Sequence, residues 1–380
     1  IFFERILMAD LFDKTTINGM TLRNRTVRSA TWEGMCDPDG RPTEKLIELY
    51  RDLALGGAGL IVTGFAYVRA DGKQLPFKMG IHTDAYADDF QRLTDAVHDA
   101  GGSIAVQLVH AGGQAPSEIA GRPLAPSAVK VDQYPEEPEA LTTEQIGEIV
   151  SAFAAAAGRA KAWGFDGVQL HGAHGYLINQ FLSPLTNRRS DSYGGGIENR
   201  SRFLMEVYSR VRSEVGTDYP VMIKLNSADN VEGGLTIEDA IFAAEALSRA
   251  GIDAIEVSGG TPASGAKGPV RARIDRPERE AYHLAQARRI KKAVDCPVMV
   301  VGGIRSFETA SQAVGPDGVD YVSMARPLTR EPNLVRRWQD GDRRAAACIS
   351  CNRCFRPGRE EGGIYCVAEK KEREKKEKNT

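Results

Sequence analysis

A chain of 380 residues, 42% apolar and 26% charged, has the composition of an ordinary globular protein, long enough for one large α/β barrel or two average domains. Its 49 basic and 51 acidic residues leave a net charge of −2, which excludes the basic surplus of a nucleic-acid binder and the acidic block of a solvating tail. No apolar run approaches the roughly 18 residues of a membrane helix, and the opening IFFERIL is too short and too charged for a signal peptide, so no membrane partner and a cytoplasmic setting are expected.

Residues 1–7 precede Met8 and are set aside as upstream sequence. Short Val/Ile-rich stretches then predict strands at Arg25–Ser29, Gly59–Thr63, Ser103–Leu108, Gly167–Leu170, Val221–Leu225, Ala254–Ser258, Pro297–Val301 and Tyr321–Met324. Amphipathic segments lie between them. Two open on Thr142-Thr143-Glu144-Gln145 and Thr236-Ile237-Glu238-Asp239, near the capping-box form in which side chains satisfy the orphan amides of a helix start. Continuous apolar strands separated by single helices imply a parallel sheet buried on both faces. Eight such units predict a closed (β/α)8 TIM barrel over 10–342, in preference to an open doubly wound sheet, for which no GxGxxG follows the first strand. A four-cysteine segment at 343–367 and a solvated charged tail at 368–380 follow.

Barrel active sites are built at the C-terminal ends of strands. The fourth strand ends in HGAHGY, which places two of the six histidines, His171 and His174, beside Tyr176. Two imidazole N–H groups can polarise a carbonyl oxygen and a phenol can deliver a proton, a set suited to reducing an activated double bond. No side chain supplies hydride, so a redox cofactor is required. Val301-Gly302-Gly303-Ile304 after the seventh strand and Ser323-Met324-Ala325-Arg326 after the eighth lie where barrels commonly assemble a phosphate site.

Four blocks carry a family resemblance: INGMTLRNR at 17–25, VQLVHAGGQ at 106–114, HGAHGYLINQFLSPLTNRRSDSYGGGIENRSRF at 171–203 and VGGIRS at 301–306. Through them the chain resembles the Old Yellow Enzyme family of FMN-dependent oxidoreductases over nearly all of residues 10 to 366. The resemblance implies that Ser29, Ala30, Thr31, Gln107, Lys224, Gly302, Gly303, Ala325 and Arg326 bind FMN. Gln107 would meet the flavin pyrimidine edge, and Lys224 would stand beside flavin N1 and O2. His171 and His174 would hold the substrate carbonyl and Tyr176 would protonate the α-carbon, with NAD(P)H as reductant. Trp32 occupies the position of a Thr or Cys in many relatives, which argues against covalent FMN and places an indole on the substrate side. Ala325 stands where a glycine is common. Glu33, Arg271 and Arg273 are expected in loops overhanging the flavin, where the arginines would meet a carboxylate or phosphate.

Cys348, Cys351, Cys354 and Cys366 follow the spacing C-x2-C-x2-C-x11-C, four thiolates able to converge on iron–sulfur or zinc. The segment is similar to the 4Fe-4S motif that follows the barrel in trimethylamine dehydrogenase and 2,4-dienoyl-CoA reductase, which implies a 4Fe-4S cluster, with zinc as the alternative, and an external electron-transfer protein as partner. Family resemblance also implies a homo-oligomer. The leading expectation is an NAD(P)H-dependent ene-reductase acting on an α,β-unsaturated carbonyl or dienoyl compound. An amine or N-methyl dehydrogenase passing electrons from FMN through the cluster is the alternative, with Trp32, Phe65 and Tyr282 available to a cationic substrate. A pure electron carrier is disfavoured, having no use for the His171–His174 grip.

Overall fold

Eight parallel strands pair in chain order, and the last pairs back onto the first: β1 (Thr26–Arg28), β2 (Leu60–Val62), β3 (Ile104–Val109), β4 (Gly167–Gly172), β5 (Val221–Asn226), β6 (Ala254–Ser258), β7 (Val298–Val301) and β8 (Tyr321–Met324). Each falls within or overlaps a stretch expected from the sequence. In this computed structural model, which describes residues 10–378, the chain is thus a closed (β/α)8 barrel. The expectation for residues 1–7 lies outside the described residues. The main outer helices are α1 (Glu44–Leu55), α2 (Ala87–Asp99), α3 (Thr143–Ala162), α4 (Arg202–Val215), α5 (Ile237–Arg249), α6 (Leu284–Lys291), α7 (Phe307–Ala313) and α8 (Leu334–Gln339). Thr142 with Gln145 and Thr236 with Asp239 both form the reciprocal capping bonds foreseen for α3 and α5.

The period-2 pleat sorts each strand into two cores. Ile104, Val106 and Leu108 of β3, Val168 and Leu170 of β4 and Ile223 and Leu225 of β5 pack outward against the helices. Ala105, Met222, Ala254, Met299 and Tyr321 point inward near the strand starts. They meet Ile17, Met20 and Leu22 from a short antiparallel hairpin, Thr15–Ile17 paired with Met20–Leu22, which plugs that end of the barrel. The sequence reading did not anticipate the hairpin.

Above this apolar layer the inward positions turn polar. The register sets Gln107 opposite Gln169, Lys224 opposite His171 and Lys224 opposite Glu256. A one-residue slip would aim all of these at the helices, so burial of the alternate apolar residues is what fixes the polar group inside the barrel. After α8 the chain returns over the C-terminal mouth through helix Phe355–Glu360 and ends in helix Val367–Lys378, which buries no side chain and is tied back by an Arg330–Glu372 ion pair of 2.6 Å.

Candidate active site

A cavity of about 490 Å³ opens at the C-terminal mouth of the barrel, within the range typical of small-molecule and cofactor sites. Ser29, Ala30, Thr31 and Trp32 line it from the loop after β1, His171, His174 and Tyr176 from the end of β4, and Lys224 from β5. Gly303 lines it from the loop after β7 and Ser323, Ala325 and Arg326 from the end of β8, the strand next to β1. Of the residues assigned to cofactor or substrate from sequence, Gln107 and Gly302 do not line the cavity. A larger groove of about 740 Å³ lies outside, between α3 and α4, lined by residues such as Gly147, Arg202 and Ser213, and brings no comparable set of groups together.

The His171 ring stands 5.1 Å from that of His174 and 4.7 Å from that of Tyr176, near-perpendicular to each. His171 Nδ1 accepts the Ala173 amide at 3.3 Å, which places the imidazole proton on Nε2. His174 Nε2 lies 2.7 Å from the Ser258 hydroxyl. The His174 backbone is left-handed at φ 63°, unusual for a residue with a Cβ, and its amide donates to the side-chain Oδ1 of Asn226 at 3.1 Å. Asn226 is itself fixed by Asn179 and Asp229, fully or almost fully buried, so the strain is held by a rigid polar bracket. Burial keeps both imidazoles well below the usual histidine range, with Lys224 adding a like charge to each, so both are neutral at physiological pH. Burial raises the Tyr176 phenol well above its ordinary value, so it stays protonated. Its hydroxyl donates to Gln74 Oε1 at 2.7 Å, and Gln74 is linked through Gln114 to the His174 carbonyl oxygen.

Beneath these groups runs a buried chain. Gln107 Nε2 donates to Gln169 Oε1 at 2.6 Å, and Gln169 Nε2 to Glu256 Oε2 at 2.9 Å. Glu256 also takes the Ser29 hydroxyl at 2.6 Å and pairs with Lys224 at 3.2 Å. Burial lowers the Lys224 ammonium from its ordinary value, and Glu256 opposes that shift. Two atoms of this layer, Gln107 Oε1 and Ser323 Oγ, are buried without a partner. A buried acceptor left open costs about 1–3 kcal/mol, so such atoms commonly await a ligand. An open amide oxygen, an open hydroxyl and a buried cation fit the N–H and carbonyl edge of a flavin pyrimidine.

At the other end, Gly303 has φ 73° and a Cβ there would lie 2.9 Å from the Tyr282 ring, so only glycine fits this wall. Arg326, almost fully buried, donates to the Arg271 carbonyl oxygen and to Asn352 Oδ1. Trp32 lines the cavity with its indole N–H buried and unpartnered, its far edge packed near Gly358. Glu33 does not overhang the cavity: it is buried, paired with Arg28 at 2.5 Å and bonded by Tyr50 and the Gly64 amide, a bracket under the loop that carries Trp32. Arg271 lies over the Tyr282 ring at 4.2 Å, and Arg273 is exposed.

Sequence reading missed Glu256, Gln169, Gln74 and Ser258. Glu256 had a signal: a carboxylate interrupting the buried strand AIEVS, as Lys224 interrupts VMIKLN. It also missed that the C-terminal segment enters the site, since Phe355 and Arg359 line the same cavity.

Cys348, Cys351, Cys354 and Cys366 line one small cavity of about 20 Å³ together with Arg326, Thr329 and Asn352. Among the described residues no three thiol, imidazole or carboxylate groups are placed to hold a metal ion. Burial raises the Cys348 thiol and pushes that of Cys354 up to about 11. Arg326 borders both this cavity and the larger one.

The model of the NADH:flavin oxidoreductase / NADH oxidase family matches residues 10–344. The chain is 37% identical over 347 residues to an NADH oxidase of Thermoanaerobacter brockii, covering 90% of this chain and 53% of that protein. Among solved structures, a 2-naphthoyl-CoA reductase in complex with 2-naphthoyl-CoA superposes with TM-score 0.87 at 30% identity, covering 94% of this chain and 56% of that one. An old yellow enzyme homologue from Zymomonas mobilis superposes with TM-score 0.74 at 31% identity, over 87% of this chain and 92% of that one. The chain thus spans about half the length of the first two relatives.

Proposed function

Since the chain belongs to the NADH:flavin oxidoreductase / NADH oxidase family, we propose that it is an FMN-dependent ene-reductase, using NAD(P)H to saturate the double bond of an α,β-unsaturated carbonyl or dienoyl compound. The observation that carries this reading is the convergence of two neutral imidazoles and a protonated phenol on one cavity, beside a buried lysine that lines it from the neighbouring strand. Bound FMN supplies the hydride that no side chain can.

The protein's own residues do the rest. Gln107 Oε1 and the Ser323 hydroxyl, both open, and the Lys224 ammonium would hold the flavin ring, with Ser29, Ala30 and Thr31 along one side. The Gly303 amide and the Arg326 guanidinium, which line the cavity, would take its phosphate. His171 Nε2–H and His174 Nδ1–H, the latter left free when Ser258 donates to Nε2, converge on a carbonyl oxygen and stabilise the charge that develops there. Neutral donors suit this task, because they do not depend on protonation near pH 7. Tyr176 passes its proton to the α-carbon once substrate displaces Gln74 from its hydroxyl. Trp32, which lines the cavity, would lie on the substrate side and carries no group able to bond FMN covalently.

The amine-dehydrogenase reading needs open aromatic faces for a cation. Two of its three aromatics, Phe65 and Tyr282, already have a basic side chain over the ring at 4.2 Å, Lys78 and Arg271, which leaves Trp32 as the one of the three without such a neighbour. The similarity to a structure holding 2-naphthoyl-CoA brings unsaturated and aryl thioesters into the candidate class. By residue type and spacing the four thiols are the donor set of a 4Fe-4S centre or zinc; they border one small cavity, although among the described residues no three of them stand close enough to hold a metal ion as they are placed. Stopped-flow absorbance tests the main reading. NAD(P)H should bleach the flavin and 2-cyclohexenone should restore its colour, whereas bleaching by small amines without NAD(P)H would favour the dehydrogenase.

A further inference from the structure

Glu256 is a fully buried carboxylate to which the reaction as described gives no task. Everything polar that touches it donates or is cationic: the Ser29 hydroxyl at 2.6 Å, Gln169 Nε2 at 2.9 Å and Lys224 at 3.2 Å. Lys224 is in turn 2% exposed, and its ammonium has two partners, Ser29 Oγ at 2.8 Å and Glu256. The groups around it offer no other countercharge. His171 on β4 and His174 beyond it are neutral, Arg28 on β1 adds a like charge, and Glu33 is tied to Arg28. Among the described residues, Glu256 is the one carboxylate within ion-pair distance of Lys224.

We propose that Glu256 is a positioning residue for the flavin half of the reaction: it is the counter-ion that keeps Lys224 an ammonium in both oxidation states of the cofactor. The inference rests on the reading that FMN lies over Lys224. A buried ammonium deprived of its only anion sheds its proton. Two-electron reduction of the flavin, with one proton taken up on the ring, places a negative charge beside Lys224. In the native protein Lys224 is already charged, so reduction consumes two electrons and one proton. Without Glu256, the neutral amine would recapture a proton as that charge arrives, and reduction would consume two electrons and two protons.

The experiment is spectroelectrochemical titration of the flavin in the holoenzyme, with dithionite as reductant, between pH 7 and 9. For a two-electron couple, a tenfold change in proton activity shifts the potential by about 30 mV per proton taken up. The native protein should therefore fall by about 30 mV per pH unit and Glu256→Gln by about 60 mV. A native slope near 60 mV overturns the proposal without any variant. So does an E256Q protein that retains flavin with the native slope. Native protein without flavin overturns the parent reading and this one with it, and shows in the absorbance spectrum before titration begins.

Discussion

Replacing Tyr176 with phenylalanine removes one hydroxyl from a site whose shape is otherwise kept. The ring remains packed against His171 at 4.7 Å and Phe65 at 5.4 Å, so the cavity wall should hold. Gln74 Oε1 loses its donor at 2.7 Å, but Gln74 is only partly buried and still bonded through Gln114, so the folding cost sits near the low end of the 1–3 kcal/mol range for an orphaned acceptor, about 1 kcal/mol. The catalytic loss is larger. A positioned general acid contributes roughly 10²–10⁴-fold, or about 3–5 kcal/mol of barrier. Because burial holds the phenol protonated, the loss should be the same from pH 6 to 9. Stopped-flow separates the half-reactions: flavin reduction by NAD(P)H should be within twofold of native, and reoxidation by cyclohexenone slower by at least 100-fold. Reoxidation slowed less than tenfold would refute Tyr176 as the proton source.

The buried histidines tie stability to pH. His171 and His174 are held well below the ordinary value and His283 at about 3, all by burial, so below about pH 6.5 the unfolded chain binds protons that the folded chain refuses, and stability falls as pH falls. From pH 6.5 to 5.5 each contributes a loss of about 1 kcal/mol; urea midpoints should show H283N losing about 1 kcal/mol less than native over that interval, and an unchanged difference would contradict the assignment. Gly303→Ala must adopt φ 73° with its methyl 2.9 Å from Tyr282, so it should lower Tm and the FMN-to-protein ratio together; full flavin retention would remove Gly303 from the cofactor wall. Protein purified without oxygen should contain about four irons and four sulfides per chain, and C351S should lose most of both while retaining flavin. Zinc in their place would identify the other metal.

The strands were legible because a barrel buries both faces of its sheet, leaving Val/Ile runs such as VMI before Lys224 and VMVV at Val298–Val301 that polar residues seldom interrupt. The His171–Tyr176 trio was legible because strand ends are where barrels place chemistry. The polar layer was only half legible. Lys224 and Glu256 lie on adjacent strands but 32 positions apart, and their pairing depends on register, which no local pattern encodes. Tertiary contact likewise hid Gln74, delivered to Tyr176 from across the mouth, and the entry of Phe355 and Arg359 from the cysteine segment. Glu33 misled for the opposite reason: a charged residue in a loop suggests exposure, but Arg28, Tyr50 and the Gly64 amide had already claimed it.

The most direct test of the account follows two hydrogens into one product. The native protein, given 2-cyclohexenone and NADPH deuterated at the transferring position, should yield cyclohexanone with deuterium at the β-carbon; given ordinary NADPH in D2O, it should yield deuterium at the α-carbon, and the Y176F protein should form that product far more slowly, its α-deuterium drawn directly from solvent. No saturated product, or a product with the β-position unlabelled, would contradict the assignment of this cavity to hydride delivery.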